Sequence, residues 1–353
     1  MDYKEVFFFV ARTLTISKNE SNKKWILHKL IENSICWDKV VQVSSRHYVL
    51  PALYSILKKN ELLHYLPKDL VFYLNYLTTQ NKIRNEKIIK QAKKVNALLL
   101  KHQITPIFIK GAGYLLQNLY EDFSERMIGD IDFLIKKEDC LKAYAILIEN
   151  GFTSRNKKDH ISLSHFRHLP RLTKNKEIAA IEIHHELIIK EYRQEFSAED
   201  IFKNHIVSIN NLHFLNYEKQ IVLSILSTQV NDGESIFIKK VGLKFAYDIF
   251  LLSKKTNSLD AIKHYNVLFR PLNNYLALTK YALNDDSIKI KKTKVAVKFF
   301  HKVFLPSKNI KLRRKVLLLR LSFIDTRLRK KLIKRIARKS WRNQKLIELG
   351  LKK

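Results

Sequence analysis

Glycine, proline and cysteine are all scarce in this sequence of 353 residues, which has seven Gly, six Pro and two Cys. Soluble proteins average about 7% Gly and 5% Pro, so collagen-like, Gly-rich disordered and turn-dense all-β proteins are excluded. Two cysteines cannot form a disulfide framework or, by themselves, a zinc site, so we expect reduced thiols in a reducing compartment. The 46% of apolar residues suffice for a large core, and the composition predicts a mostly helical chain.

Long apolar runs are absent too. No run approaches the roughly 18 apolar residues that crossing a bilayer requires. The first residues, MDYKEVFFFVARTL, carry the acidic Asp2 and Glu5 where a secretory signal has a basic start. We therefore expect a protein that is not transmembrane and that lies in the cytoplasm, either free or peripheral at the inner membrane surface.

Acidic residues are few in comparison with basic ones. The chain has 66 Lys and Arg against 33 Asp and Glu, a net charge of +33. Much of the excess lies in residues 308–353, where 18 Lys and Arg accompany only Asp325 and Glu348. Such a segment would bind nucleic-acid phosphates or an anionic membrane surface, or would simply be a solvated helix.

Hydrophobic periodicity divides the chain into four predicted regions. Residues 1–102 form an N-terminal helical region, 103–190 an α/β core, 191–306 a C-terminal helical region and 307–353 a basic amphipathic helical tail. Helices are expected at 22–34, 39–59, 68–101, 217–230, 237–254, 259–284 and 290–304, and strands at 104–109, 128–135, 160–172 and 178–184. The predicted fold class is α+β, predominantly helical, with a small mixed β-sheet core embedded between N-terminal and C-terminal helical regions.

Two acidic residues alternate with apolar ones on the second of these predicted strands. Asp130 and Asp132 flank Ile131, so both carboxylates would point to the same face, about 7 Å apart. Carboxylates at that separation can share divalent cations, and Mg²⁺ prefers such hard oxygen ligands. Because alternating acids also occur on ordinary solvated strands, the pair needs support from other residues.

Three further features support a phosphate-handling site. Lys110-Gly111 ends a predicted strand and opens a helix, where backbone N–H groups are available to phosphate. Arg126 lies four residues before the first aspartate, so its charge could reach the same phosphates. Glu182 lies in an apolar strand with His184 on its face, and an acid in such a strand needs a partner. His184 would orient Glu182 or touch the substrate.

The order of these motifs resembles the uncharacterised nucleotidyltransferase family of the polymerase-beta-like superfamily. The resemblance covers roughly residues 25–270 and leaves the basic tail unexplained. It rests on Phe-Ile-Lys-Gly at 108–111, Arg126, Asp130-Ile-Asp132-Phe-Leu-Ile, Gly151-Phe152, Ile181-Glu-Ile-His184, the lead-in His47-Tyr-Val-Leu-Pro-Ala-Leu-Tyr54, and Asp248. It implies a small mixed sheet with helices, in which carboxylates from two strands hold two divalent metals and a nucleotide is transferred to an acceptor hydroxyl.

The resemblance assigns roles to particular residues of this chain. Asp130, Asp132 and Glu182 would be the catalytic, metal-binding carboxylates, and Gly111 would stand in the phosphate-binding turn. We add Lys110 and Arg126 as partners of the triphosphate, from their charge and spacing, and place His184 with the nucleotide-binding residues. The cofactors expected are two Mg²⁺ ions. The substrate is an NTP, with ATP the first choice, and the acceptor is a small molecule, an RNA or a protein.

The chain departs from the usual pattern at three points. Ala112 follows Gly111 where Ser or Gly is usual in the wider superfamily, and the gap from Gly111 to Asp130 is 19 residues where the superfamily has about a dozen. Glu182 stands where the family commonly has Asp. Glu can ligate Mg²⁺ equally well, but its extra methylene shifts the oxygens. The alternative to an enzyme is a non-catalytic basic module that binds nucleic acid or an anionic membrane surface.

Overall fold

Helices precede and follow a mixed β-sheet in the computed structural model, which describes residues 1–154, 167–231 and 241–293. The helices are α1 (Tyr3–Thr13), α2 (Glu20–Ile31), α3 (Trp37–Arg46), α4 (Leu50–Lys59), α5 (Lys68–Lys101), α6 (Lys110–Leu116), α7 (Cys140–Glu149), α8 (Ala198–Asn204), α9 (Tyr217–Leu226), α10 (Leu243–Ser253) and α11 (Phe269–Leu283). The basic tail, 307–353, and most of the helix expected at 290–304 lie outside the described residues.

Seven strands form one sheet in the described chain. They are β1 (Ile107–Ile109), β2 (Asp130–Leu134), β3 (Thr153–Ser154), β4 (Leu172–Thr173), β5 (Ala180–His184), β6 (Ile206–Ile209) and β7 (Leu212–Leu215). Their order is β3-β4-β5-β2-β1-β7-β6. The central strand β2 runs antiparallel to β1 and parallel to β5, while β1 runs parallel to β7. The predicted α+β class, with a mixed sheet between helical regions, is confirmed.

One face of the central strands carries apolar side chains into the core. Ile131 and Phe133 of β2 and Ile181 and Ile183 of β5 have no exposed surface. The ring of Phe133 also packs against an aromatic ring of β1, with centroids 5.9 Å apart. Since successive residues of a strand point to opposite faces, this core fixes Asp130, Asp132, Glu182 and His184 on the other face.

A hairpin after residue 190 adds two strands that the sequence did not lead us to expect. β6 and β7 are joined by Asn210 and Asn211, both with positive φ (49° and 59°). This is the conformation that a two-residue type I′ turn requires, and Asn tolerates it. Asn-Asn between two short apolar runs was the signal available. The sheet therefore continues beyond residue 190, where the sequence placed the end of the core region.

The helix expected at 259–284 begins later than its periodicity indicated. Residues 259–268 form turns, and α11 starts at Phe269. Pro271 explains the difference, because a proline has no N–H to donate and is tolerated only in the first turn of a helix. A start at Phe269 places this proline in that first turn.

Buried amides of α5 hold the segment that leads into the site. Asn85 donates to the backbone carbonyl of Arg126 (2.7 Å), and Asn81 donates to that of Ser124 (2.7 Å). Six residues further along α5, Gln91 exchanges two hydrogen bonds with Ala179, the residue before β5. Both carboxylate-bearing strands are thus tied to one helix by buried side-chain amides that hydrogen-bond to backbone groups.

A buried ion pair joins the chain before β2 to α10. Arg126 donates from Nε and Nη2 to the two oxygens of Asp248, both at 2.8 Å, and the Tyr120 hydroxyl donates to the same carboxylate. Burial alone would lower the pKa of Arg126, but Asp248 outweighs burial and raises it. The planar guanidinium matches the carboxylate in a two-bond geometry, so the pair fixes orientation as well as charge.

We expect Asp248→Asn to lower the free energy of unfolding by about 3–5 kcal/mol, because Arg126 cannot lose its charge and would be buried without a counter-charge. Urea unfolding followed by circular dichroism measures the change. Asp260→Asn is the control, since Asp260 pairs with Lys263 on the surface (2.9 Å), and such pairs contribute about 0–1 kcal/mol. Equal losses in the two variants would contradict the importance of the buried pair.

Candidate metal and nucleotide site

The register of two parallel strands brings the acidic residues together. β2 and β5 pair so that Asp132 lies beside Glu182 and Leu134 beside His184. Asp130 lies beside Ala180, two residues nearer the start of both strands. The three carboxylates expected from the sequence, Asp130, Asp132 and Glu182, therefore lie near His184 on one face of the sheet.

Asp132 is the centre of this cluster. Its Oδ1 accepts from the Lys110 ammonium at 2.5 Å and lies 2.9 Å from Nε2 of His184. Burial would raise the pKa of Asp132, but the Lys110 charge and the His184 hydrogen bond outweigh it and hold that pKa well below its ordinary value. Asp132 is therefore ionised at any ordinary pH.

Arg171 bridges the other two carboxylates. Its Nη2 lies 2.6 Å from Oε1 of Glu182 and 3.2 Å from Oδ2 of Asp130, and its Nε donates to the same Glu182 oxygen at 3.0 Å. The sequence did not indicate this arginine. It enters the site because it directly precedes β4, which pairs with β5 at Leu172 and Ile181.

The surroundings move the pKa values of these two carboxyl groups in opposite directions. Burial raises the pKa of Asp130, and Glu182 and Asp132 raise it further, while Arg171 partly offsets them. For Glu182 burial also raises the pKa, but the hydrogen bonds from His184 and Arg171 outweigh it, and the net shift is downward. Asp130, with fewer partners, is the carboxylate that most needs an added cation.

Three of these side chains could hold a metal ion. One ligand atom from each of Asp132, Glu182 and His184 can be chosen so that all lie within 4.8 Å of one another. His184 is buried, and its Nε2 lies against Asp132 and Glu182. Since ionised carboxylates only accept hydrogen bonds, Nε2–H donates to them, and the ring could bind a metal ion through Nε2 only in the other tautomer, with the proton on Nδ1. Asp132 and Glu182 offer carboxylate oxygens, and Asp130 adds a third carboxylate two residues before Asp132 on the same face of β2. Mg²⁺ prefers such oxygen ligands.

The two glycines in the first turn of α6 are closely packed. A Cβ on Gly111 would lie 2.6 Å from Cγ2 of Ile128, and one on Gly113 would lie 2.9 Å from the carbonyl oxygen of Phe108. Lys110 adopts a left-handed φ of 56° as it leaves β1, and this turn carries its ammonium toward Asp132. The contact of Gly111 with phosphate stays a prediction.

The described hydrogen bonds of Arg126 go to groups outside the carboxylate cluster. Its Nε and Nη2 donate to Asp248, and its Nη1 donates to the carbonyl of Met127 (2.7 Å). The structure thus gives this guanidinium protein partners on all three nitrogens. The contact with the triphosphate that the sequence suggested for Arg126 stays a prediction.

Lys244 is a second cation that sequence reasoning missed. It lies in the first turn of α10, and its ammonium is 5.0 Å from the ring centres of Tyr48 and Phe245. Burial lowers the pKa of Lys244 to about 8, the Arg126 charge lowers it too, and Asp248, Asp130 and Asp132 act in the opposite direction. A lysine in the first turn of a helix is unusual, because the helix dipole disfavours a cation there. The sequence shows this feature only once the start of α10 is known.

A comparison with protein families identifies the chain. The model of a family described as uncharacterised nucleotidyltransferase matches residues 33–278. The protein therefore belongs to this family, as its motifs indicated, and the match includes the whole carboxylate cluster, the sheet and α10. A comparison with curated proteins and with solved structures returns no match. None of the described helices is both long and apolar enough to cross a membrane.

If the cluster binds metal, Asp132→Asn should weaken Mn²⁺ binding at least tenfold, since the loss of groups that merely orient metal ligands already costs about 10–100-fold. Electron paramagnetic resonance of free Mn²⁺ measures the affinity in the full chain. Asp260→Asn, which removes a charge from an exposed surface pair, serves as the control. The same Mn²⁺ affinity in both variants would show that Asp132 is not a ligand.

Proposed function

We propose that the protein is a Mg²⁺-dependent nucleotidyltransferase that moves a nucleoside monophosphate from an NTP, ATP first among them, to an acceptor hydroxyl. One observation supports this most strongly. Asp132, Glu182 and His184 converge from two parallel strands within the segment that the nucleotidyltransferase family model matches. The acceptor is proposed as a small molecule, an RNA or a protein, and the setting as the cytoplasm.

Asp130, Asp132 and Glu182 would hold two Mg²⁺ ions in this proposal. Bound there, the metals would lower the pKa of the acceptor hydroxyl and stabilise negative charge on the α-phosphate during in-line displacement. The carboxylates suit this task because two of them keep low pKa values in the folded protein and stay ionised. His184 would hold Asp132 and Glu182 in place through Nε2.

Two lysines would bind the triphosphate. Lys110 already lies at the carboxylate cluster, 2.5 Å from Asp132. Lys244 is in electrostatic reach of Asp130 and Asp132 and pairs with no carboxylate among the described residues. We assign Lys244 this task ahead of Arg126 because the Arg126 guanidinium is engaged with Asp248. Gly111 would stand in the turn that approaches the phosphates.

The basic tail is proposed as an accessory to this activity. Residues 308–353 carry 18 Lys and Arg and lie outside the described part of the chain. Contact of these charges with nucleic acid or with an anionic membrane surface stays a prediction. Truncation at about residue 307 separates the two roles, because metal-dependent NTP binding should survive while salt-sensitive binding of RNA or anionic vesicles is lost.

The pKa of Lys244 predicts how nucleotide affinity depends on pH. A lysine is charged below its pKa, so wild-type protein should lose one favourable charge as pH rises through about 8. We expect affinity for a fluorescent ATP analogue with Mg²⁺ to fall several-fold between pH 7 and 9. A bound triphosphate raises the pKa of Lys244. The pH at which affinity begins to fall is therefore set by the pKa of Lys244 in the nucleotide-free protein.

Lys244→Arg is the matched variant for this pH dependence. An arginine keeps its charge throughout this range, so the variant should show a flat affinity profile from pH 7 to 9. A fall of the same size in Lys244→Arg would assign the pH dependence to another group and remove Lys244 from the nucleotide site.

Transfer itself is tested with NTPs labelled at the α-phosphate, incubated with Mg²⁺, the full chain and cell extract. Wild-type protein should pass label to one molecular fraction. The double variant Asp130→Asn with Asp132→Asn should pass none while its circular dichroism spectrum stays native. Label transfer by the folded double variant would refute the proposed function.

A further inference from the structure

Arg171 occupies two of the carboxylate oxygens that a metal ion could use. It contacts Oε1 of Glu182 through two nitrogens, at 2.6 and 3.0 Å, and Oδ2 of Asp130 at 3.2 Å. These are two of the three carboxylates proposed as metal ligands. A divalent ion and a guanidinium repel each other, so the two cations would compete for these carboxylates.

We propose that Arg171 is an exchangeable internal cation, which neutralises Asp130 and Glu182 while the site lacks metal and passes to the phosphates of the nucleotide when metal binds. This rests on the proposed function. Arg171 is a positioning and binding residue in this scheme, since it makes no bond to the reacting atoms and takes no part in proton transfer.

The need for such a cation follows from the charges that face the cluster. Asp130, Asp132 and Glu182 bring three negative charges to one face of two adjacent strands. Lys110 neutralises Asp132 at 2.5 Å, and His184 donates to it from the other side. Without Arg171, Asp130 and Glu182 would share a half-buried region with no cation of their own among the described residues.

The exposure of Arg171 makes its departure inexpensive. Its side chain is 54% exposed, while that of Glu182 is 12% exposed, so the arginine reaches the carboxylates from the solvent side. Water restores the hydration of the exposed guanidinium when it leaves, and the arriving metal ion replaces its charge at the less exposed Glu182. Arg171 can therefore leave without unpacking the core, whereas Lys110 is less exposed and is fixed by the turn at the start of α6.

The backbone of Arg171 keeps it near the site after it leaves the carboxylates. The next residue, Leu172, is paired with Ile181 of β5, directly beside Glu182. A nucleotide triphosphate held by the metals would bring anionic oxygens to the same place. The planar guanidinium binds phosphate with two parallel hydrogen bonds. Arg171, once displaced by metal, would therefore exchange its carboxylate partners for a phosphate, which is also an anion.

Opposite changes in two affinities distinguish this exchange from a merely structural role. In full-length Arg171→Ala, the affinity for Mn²⁺ alone should rise roughly two- to fivefold, since the cation that competes for Oε1 of Glu182 and Oδ2 of Asp130 is gone. The affinity for an ATP analogue with a methylene bridge between the α- and β-phosphorus atoms, measured with Mn²⁺ by calorimetry, should fall by a similar factor.

Two further variants complete the test. Arg171→Lys should move both affinities in the same directions by less, and it replaces Arg171→Ala in the comparison if that variant does not fold. Arg193→Ala is the matched control. The Nε of Arg193 lies 3.9 Å from Oε2 of Glu186, which is not one of the cluster's carboxylates. This control should change neither affinity.

Each outcome decides between the two proposals. Failure of wild-type protein to bind both Mn²⁺ and the analogue overturns the proposed function and the Arg171 exchange together. The exchange alone is overturned if wild type binds both Mn²⁺ and the analogue but Arg171→Ala behaves like Arg193→Ala. It is also overturned if Arg171→Ala loses affinity for Mn²⁺. In both cases the proposed function still stands.

Discussion

Carboxylates on adjacent strands repel each other, and the parallel pairing of β2 with β5 sets Asp132 directly beside Glu182. The apolar residues between them are buried in the core, so the acids cannot turn away to solvent. The surrounding structure supplies positive charge and donors instead: Lys110 from the start of α6, His184 from β5 and Arg171 from the residue just before β4. The unequal shares of these partners explain why the pKa of Asp130 rises while those of Asp132 and Glu182 fall.

The rest of the fold holds this cluster in register. Side-chain amides of α5 bind the backbone just before β2 and β5, which fixes where both strands begin. The Arg126–Asp248 pair then ties the same approach segment to α10. Because Lys244 lies one helical turn before Asp248, this buried pair also sets the position of the lysine that we assign to the triphosphate. A structural ion pair thus connects the sheet that carries the acids to the helix that carries the lysine proposed to bind phosphate.

Sequence reasoning found the carboxylates because a strand has a period of two, and an acid that alternates with buried residues has a predictable direction. The order of the short motifs was enough to indicate the family. The cations were harder, because their places depend on contacts between distant parts of the chain. Arg171 reaches the site through strand pairing, and Lys244 through a helix more than a hundred residues after Asp130. Arg126 was assigned from its nearness in sequence, yet its partner, Asp248, is 122 residues away. The hairpin β6–β7 was missed because its strands are short and its turn has Asn in place of Gly.

The claim that this cluster holds divalent metal is tested most directly by a crystal structure grown with Mn²⁺ and an ATP analogue that cannot be cleaved at the α-phosphate. Anomalous scattering from Mn²⁺ reports the metal independently of the protein. We expect anomalous peaks in contact with the carboxylate oxygens of Asp132 and Glu182, and the guanidinium of Arg171 turned from those oxygens to the phosphates. Bound analogue without anomalous density at these carboxylates, or Mn²⁺ bound only elsewhere, would contradict a metal-dependent nucleotidyltransferase site at this position.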